Sequence, residues 1–508
     1  MAGVQFPLTA KGDRSTTGFN KDAFKAVAES LGCQDLAQAI SSEKNWRQKY
    51  DTHIENIIEN LAVMSLLDSA KMATAMQAGL DKARAMEFET SEGNSVPLTT
   101  VMAALERKFE TATITGSQEA KTELTLPYHG KELKGPEIDA KCDSWATVGT
   151  MELGCAEALK SGARKLGQLK GRTFLVLGAS SELGAVRPLL EAGATVAAVM
   201  RSNNKRWGEL INFARGTAGT LLAPIGAGKD AGSDQEIAEA AGADLLKDAP
   251  AISEWLLRCG REASGLVTVS TYLYADGEAN VRVTAAADFI AETAAKELGK
   301  DKVSFAYLAS GSTSHLIPAE AIQAQEANHN SGNFWAKAVG KRRDCSPSLQ
   351  GAKFWAASNP QGQAASYHFF RGVVGLQGPN YALAQYMRQW RAVLLHMQGF
   401  IVSTPVTPNC RTDSVVHNPT MKVLLEGMAY WKPMESFDPD TCRMAMFAIL
   451  VADLTEPMTD LASPVQIFTQ RAFHSGLWRC PFDLGSLGIS TWFLGKVAPR
   501  KQPVVDAQ

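Results

Sequence analysis

TFLVLGASSELGAVRPLLEAGATVAAVMR, residues 173–201, reads as strand, glycine turn, helix and strand. An apolar run ends at Gly178, a small polar loop leads to Gly184, a helical segment follows, and a second apolar run closes at Arg201. A chain that turns this tightly after a buried strand can aim backbone N–H groups at a phosphate lying over a helix N-terminus, where the dipole also favours negative charge. The stretch therefore predicts a nucleotide site.

Working outward, 508 residues leave room for this unit plus a second region. The formal net charge of −2 gives no electrostatic footprint for nucleic acid. The N-terminus lacks the charged-then-apolar run of a secretory signal, and no stretch reaches the roughly 18 uninterrupted apolar residues of a membrane span. A soluble, cytoplasmic protein is the expectation. The eight cysteines are scattered without a C-x-x-C pair or a histidine at metal spacing, so they read as free structural thiols, with no metal site.

Upstream, residues 1–20 read as an irregular arm, and residues 21–84 carry apolar residues three and four apart, the mark of packed helices. A helix is expected at 97–109, short strands and turns at 110–140, and a further helix over 143–169. Residues 1–165 are thus predicted to be a mainly helical extension, suited to packing or oligomerisation. Downstream, 220–224, 265–271 and 303–310 read as strands, with helices between them and a loop with one helical turn at 226–249. That alternation calls for a parallel sheet with helices on both faces. It breaks at 313–378, a Gly-, Ser-, Asn- and aromatic-rich insertion expected to be a lid or an oligomer contact. A helix from Tyr381, a strand at 399–408, helices at 419–431 and 440–453 and a final strand at 464–470 complete residues 166–495. Residues 496–508 read as a disordered tail.

Laid end to end, residues 170–475 resemble a short-chain dehydrogenase/reductase, an α/β Rossmann-like, doubly wound parallel sheet. GASSELG at 178–184 resembles the family's T-G-x-x-x-G-x-G, with Leu177 in place of the threonine and Glu182 in place of the middle glycine. The resemblance implies that Gly178, Ser180, Ser181, Leu183 and Gly184 cradle the cofactor's phosphates. Arg201, followed by Ser202, Lys205 and Arg206, ends the second strand, where an acid would bind a ribose 2′-hydroxyl and an arginine can pair with a 2′-phosphate. The implied cofactor is NADP(H). GFIVSTPVTPNCRTD (399–413) resembles the loop beside the nicotinamide, with Thr412 as its threonine.

For catalysis the resemblance implies Asn280 as the helix asparagine of a proton relay and Ser310 as the serine that hydrogen-bonds the substrate carbonyl, with Ser312 and Ser314 as near alternatives. The family's Y-x-x-x-K tyrosine and lysine fall best on Tyr381 and Gln385. Gln385 is neutral and can still hydrogen-bond a ribose hydroxyl. Aligning from the following strand instead puts Gln377 at the tyrosine position and Tyr381 at the lysine position. Tyr367 with Arg371 is a further pair that would restore a cation. His315 and His329 lie close after the serine strand. The aromatic residues Phe334, Trp335, Phe354, Trp355, Tyr367, Phe369 and Phe370 could line an apolar pocket or pack the insertion.

Two functions follow as expectations. One is an NADP(H)-dependent oxidoreductase interconverting a carbonyl and a hydroxyl on a small-molecule substrate, bulky or acyl, in the manner of the ketoreductases of large fatty-acid synthases. The other is a catalytically silent relative that uses the dinucleotide, or the fold alone, for assembly or sensing. A homo-oligomer is expected in either case.

Overall fold

In a computed structural model, residues 3–104, 107–228, 232–332, 334–362, 364–459 and 461–497 are described. Residues 498–508, most of the expected tail, lie outside them, as do 105–106 of the expected 97–109 helix, 229–231 of the expected loop, and 333 and 363 of the insertion. The strands of the main sheet are β1 (Phe109–Thr115), β2 (Thr173–Leu177), β3 (Thr195–Val199), β4 (Thr220–Gly226), β5 (Val267–Thr271), β6 (Val303–Tyr307) and β7 (Val402–Ser403). The fold is mixed α/β: these seven strands lie side by side in the order β7-β6-β5-β2-β3-β4-β1, all parallel except β1.

Every side chain of β2, β5 and β6 is buried, as expected of strands covered on both faces, so their sequences are near-continuous Val, Leu, Phe and Thr. The pleat divides them: Leu175 and Leu177 enter one core, Phe174 and Val176 the other. On the first face lie α1 (Thr16–Leu31), α2 (Trp46–Leu67), α3 (Ser69–Ala83), α6 (Ala249–Glu262), α7 (Ala279–Leu298) and α8 (Pro379–Met397). On the second lie α4 (Val186–Glu191), α5 (Asn204–Arg215) and α9 (Pro439–Thr455).

Several local expectations change. The 97–109 helix is shorter, Leu98–Ala103, and Phe109 starts β1. Residues 143–169 hold the end of one helix, Pro136–Val148, a second, Leu153–Ala163, and a 3-10 turn, Leu166–Leu169. The arm is partly ordered, since Gly3–Gln5 pairs antiparallel with Glu87–Glu89. Residues 464–470 are no strand: Ser463 and Gln466 form a capping box around Pro464, which starts the 3-10 helix Pro464–Phe468.

The insertion is structured rather than a loop. It holds the helices Ala319–Ser331, Phe334–Val339 and Leu349–Ser358 and an antiparallel pair, His315–Ile317 with His368–Phe370. Glu59 on α2, 1% exposed, ties it down. Its Oε1 accepts from the Ser348 N–H at 2.8 Å and the Tyr367 hydroxyl at 3.0 Å, and its Oε2 pairs with Arg371 at 3.1 Å. The N-terminal helices also hold the start of α8. The Tyr50 hydroxyl donates to the Val374 carbonyl at 2.9 Å and accepts from the Gly378 N–H at 2.8 Å, and the Asn20 amide reaches the Pro379 carbonyl at 2.8 Å.

Candidate functional site

The order of the six parallel strands reverses between β2 and β5, and in such sheets the crevice at the carboxyl ends of the strands flanking the reversal is where ligands bind. The glycine loop opens there. Gly178 has φ +87°, and a Cβ on it would meet the Tyr272 carbonyl oxygen at 2.8 Å, so only glycine fits. The Gly178 and Ala179 amides both reach the Val199 carbonyl, at 3.2 and 3.0 Å, while Ser181 and Gly184 donate within the loop at 3.0 Å each. Four amides are therefore engaged by the protein itself. The helix that follows, α4, has six residues.

Ser180 is exposed, and Ser181, Glu182 and Leu183 are half-buried. The Glu182 carboxylate accepts from the Asp413 N–H at 2.8 Å, and its backbone carbonyl accepts from Arg443 of α9 at 3.0 Å. The glycine loop is thereby joined to the loop after β7. Thr412, buried, shares a hydrogen bond with the Ser414 hydroxyl at 3.1 Å. Beneath the loop, Leu183, Ala185, Tyr272, Tyr307, Met446 and Phe447 enclose a cavity with room for about one water. At the far end of β3, Arg201, Ser202, Lys205 and Arg206 are exposed. Among the described residues Arg201, Lys205 and Arg206 have no carboxylate partner. Ser202 lies against Gly242, where a Cβ would sit 2.5 Å from the Ser202 nitrogen.

Asn280 and Tyr381 lie near a residue that no motif marks, Arg388, which stands on α8 with Tyr381 and Gln385. It is 8% exposed. Its guanidinium donates to the Leu273 carbonyl at 2.6 Å, the Ala384 carbonyl at 3.0 Å and the Asn280 Oδ1 at 3.5 Å. No carboxylate pairs with it among the described residues. Burial pushes its pKa down to about 10, and the Tyr381 phenol lies within its electrostatic reach. The Asn280 Nδ2 and Gln385 Oε1 atoms are buried without a hydrogen-bond partner among the described residues, which is costly unless a ligand or water supplies one. Arg388 was legible only as a charge at a position where the helical pattern buries its neighbours Met387 and Leu395.

The serines form a separate group. Ser310 and Ser312 share a hydrogen bond at 2.7 Å, and the Gln377 amide donates to the Ser312 hydroxyl at 2.5 Å. The side chain brought onto the serine pair is therefore Gln377. Tyr381 makes no hydrogen bond to these serines. Ser314 points elsewhere: its amide donates to the Tyr386 hydroxyl at 3.1 Å and its hydroxyl accepts from Gly372.

The remaining candidates find structural partners. Tyr367 and Arg371 are both held by Glu59 and do not form a catalytic pair. His315 is buried beside Thr313, 2.8 Å from its hydroxyl, and burial pushes its pKa down to about 4, so the ring is neutral. His329 packs against the Phe482 ring. The aromatic cluster splits, with Phe369 and Phe370 in the core and Phe334 and Trp335 in solvent. No helix among the described residues is long and apolar enough to cross a membrane. Compared with known protein families and with curated proteins, the chain matches none.

Proposed function

We propose that this chain is a divergent short-chain dehydrogenase/reductase that binds NADP(H) and interconverts a carbonyl and a hydroxyl group. The observation that carries the reading is the placement of the glycine loop at the reversal of strand order, with the Asn280–Arg388 group on the helices that follow the neighbouring strands. The residues fit the cofactor. Arg201 offers an exposed guanidinium to a 2′-phosphate, and the orphaned Asn280 and Gln385 atoms offer hydrogen bonds to a ribose hydroxyl or an ordered water.

When bound, NADPH supplies the hydride. Gln377 donates into Ser312, which frees a hydroxyl proton of the serine pair to polarise a substrate carbonyl. Tyr381 delivers or removes the proton. Arg388, three residues further along the same helix, supplies the positive charge that Gln385 cannot, within electrostatic reach of the Tyr381 phenol. Phe369, Phe370 and Trp355 pack the insertion, so the aromatic cluster gives little support to an acyl substrate.

A second reading, a silent relative used for assembly or sensing, is favoured by the Glu182–Asp413 bridge, which ties the glycine loop to the loop after β7. Fluorescence titration with NADPH and NADH tests both dinucleotide readings. NADPH binding below millimolar concentration, tighter than NADH, is expected, and no binding of either would sink the cofactor. Ketone and acyl-thioester substrates are then assayed with wild type and Tyr381→Phe. Turnover that survives the substitution removes Tyr381 from the mechanism, and binding without turnover transfers the reading to the silent relative.

A further inference from the structure

The helix Leu484–Val497 has two faces with opposite demands. Leu487, Thr491 and Gly495, spaced four apart, are its buried residues. This face lies tightly on the helix Pro419–Met428: a Cβ at Gly495 would run into the Val423 carbonyl, and one at Gly427 into the Thr491 carbonyl. The outward face should then be polar. Instead it carries Ile489 at 87%, Trp492 at 41%, Phe493 at 57% and Val497 at 60% exposure. The short helix Phe334–Val339 packs beside it and adds Phe334 and Trp335, each 75% exposed. The two helices are fixed to one another, because the Lys341 N–H donates to the Ser486 hydroxyl at 3.1 Å and the Asp483 N–H donates to the Lys341 carbonyl at 2.8 Å. Two helices packed beside one another thus each expose aromatic or aliphatic side chains.

The charged side chains on these two helices are of one sign. Neither helix contains an acid. Lys337, Lys341, Arg342 and Lys496 are exposed at their rim, and the sequence continues from the second helix with Arg500 and Lys501. Acids also lie near: Glu326 pairs with Arg342 at 3.4 Å, and Asp344 and Asp483 accept from the Ser346 and Ser486 backbones, so Lys337, Lys341 and Lys496 are the cations without a carboxylate partner among the described residues. In a chain whose net charge is −2 this basic rim is local. Monomeric proteins rarely expose apolar surface of this kind without a partner. Tryptophan and phenylalanine flanked by lysine and arginine suit the boundary between acyl chains and anionic headgroups, where the rings bury and the cations meet phosphate and carboxylate.

We infer that this face seats the protein peripherally on an anionic lipid bilayer, through the apolar side of Leu484–Val497 and the adjoining Phe334–Trp335 pair. It needs no membrane-crossing helix and stands independently of the crevice chemistry.

The test is cosedimentation of the full chain with phosphatidylcholine vesicles, with and without phosphatidylserine, at low and physiological salt. Binding to the phosphatidylserine vesicles is expected, weaker on phosphatidylcholine alone and weakened by salt. W335S/F493S should lower it by about tenfold or more, and K341E/K496E should lower it on the anionic vesicles alone. Both variants change exposed side chains, and circular dichroism checks that they fold; the charge variant keeps the test alive should the apolar one not fold. The inference is overturned if wild type stays in the supernatant with both vesicles, or if K341E/K496E sediments as well as wild type. It is also overturned if wild type is a dimer in lipid-free solution that W335S/F493S converts to monomer, because a second copy would then be the occupant.

Discussion

The Glu182 carboxylate accepts a hydrogen bond from the Asp413 backbone N–H at 2.8 Å, so the residue standing where a glycine is expected closes the glycine loop onto the loop after β7. A carboxylate at a backbone N–H mimics what a phosphate oxygen does there. On the dinucleotide reading, the cofactor must displace an anion the protein itself provides. Glu182→Ala should therefore tighten NADPH binding by about tenfold, since a hydrogen bond to a charged group is worth roughly 1.5–3 kcal/mol. Fluorescence titration measures this, and an unchanged or weaker affinity would show that the bridge does not compete with the cofactor.

Arg388 is a buried cation whose bonds run to carbonyls and an amide. Arg388→Met should lower kcat by about a hundredfold or more, the scale of positioned acid–base catalysis, while leaving the Kd for NADPH close to wild type. Arg388→Lys keeps the charge and should recover part of the rate. A purely structural arginine would instead lower stability in both variants without this difference in kcat.

Glu59 joins α2 to three residues of the insertion. Glu59→Ala leaves the Ser348 amide and the Tyr367 hydroxyl without their acceptor. It should cost about 3 kcal/mol, as breaking a buried charged pair does. Urea unfolding measures the loss, and limited proteolysis should cut faster within 340–366 while sparing β2 and β5.

Acid should destabilise the fold in two stages. His474, fully buried, has its pKa lowered by burial despite the Glu152 carboxylate 2.9 Å away. The folded ring resists a proton that the unfolded ring takes up, so stability falls as pH drops below about 6.5. Burial raises the pKa of Glu152, but His474 and Arg479 together outweigh it and leave the value near 2, below its ordinary 4.5. Its contribution is present above pH 4.5 and is lost as pH falls toward 2, on the order of 3 kcal/mol in all. Melting curves from pH 7 to pH 3 should fall for wild type. Glu152→Gln should start lower and lose the steeper part below pH 4.5.

The centre of the parallel core was legible because its strands carry their own signal: five buried residues bounded by turn residues, as at 173–177, 267–271 and 303–307. The glycine turn was legible because Gly178 meets a steric need that lies within its own loop. Elsewhere the deciding partner is distant. Residues 464–470 read as a strand, but Ser463 and Gln466 cap a 3-10 turn there. The insertion has short helices without a long apolar face, and its shape depends on Glu59, 289 residues from Ser348. At the candidate site, motif spacing proposed Asn280, Ser310 and Tyr381, but the contact of Arg388 with Asn280 depends on how α7 and α8 pack, and that of Gln377 with Ser312 on the path of the insertion.

The pairing of β1 with β4 has a further consequence. Residues 109–115 lie ahead of every other strand of this sheet and yet supply an outermost one, hydrogen-bonded along its whole length from Phe109–Gly226 to Thr115–Thr220. A fragment begun at residue 166 would keep the entire parallel sheet but leave the backbone of Thr220–Gly226 open along one side. Such an edge is a template for other chains, and the same fragment would strip α1, α2 and α3 from the apolar side of α8. The upstream region thus covers an edge and a helix face that the rest of the chain leaves open, and fragments lacking it should collect in the insoluble fraction.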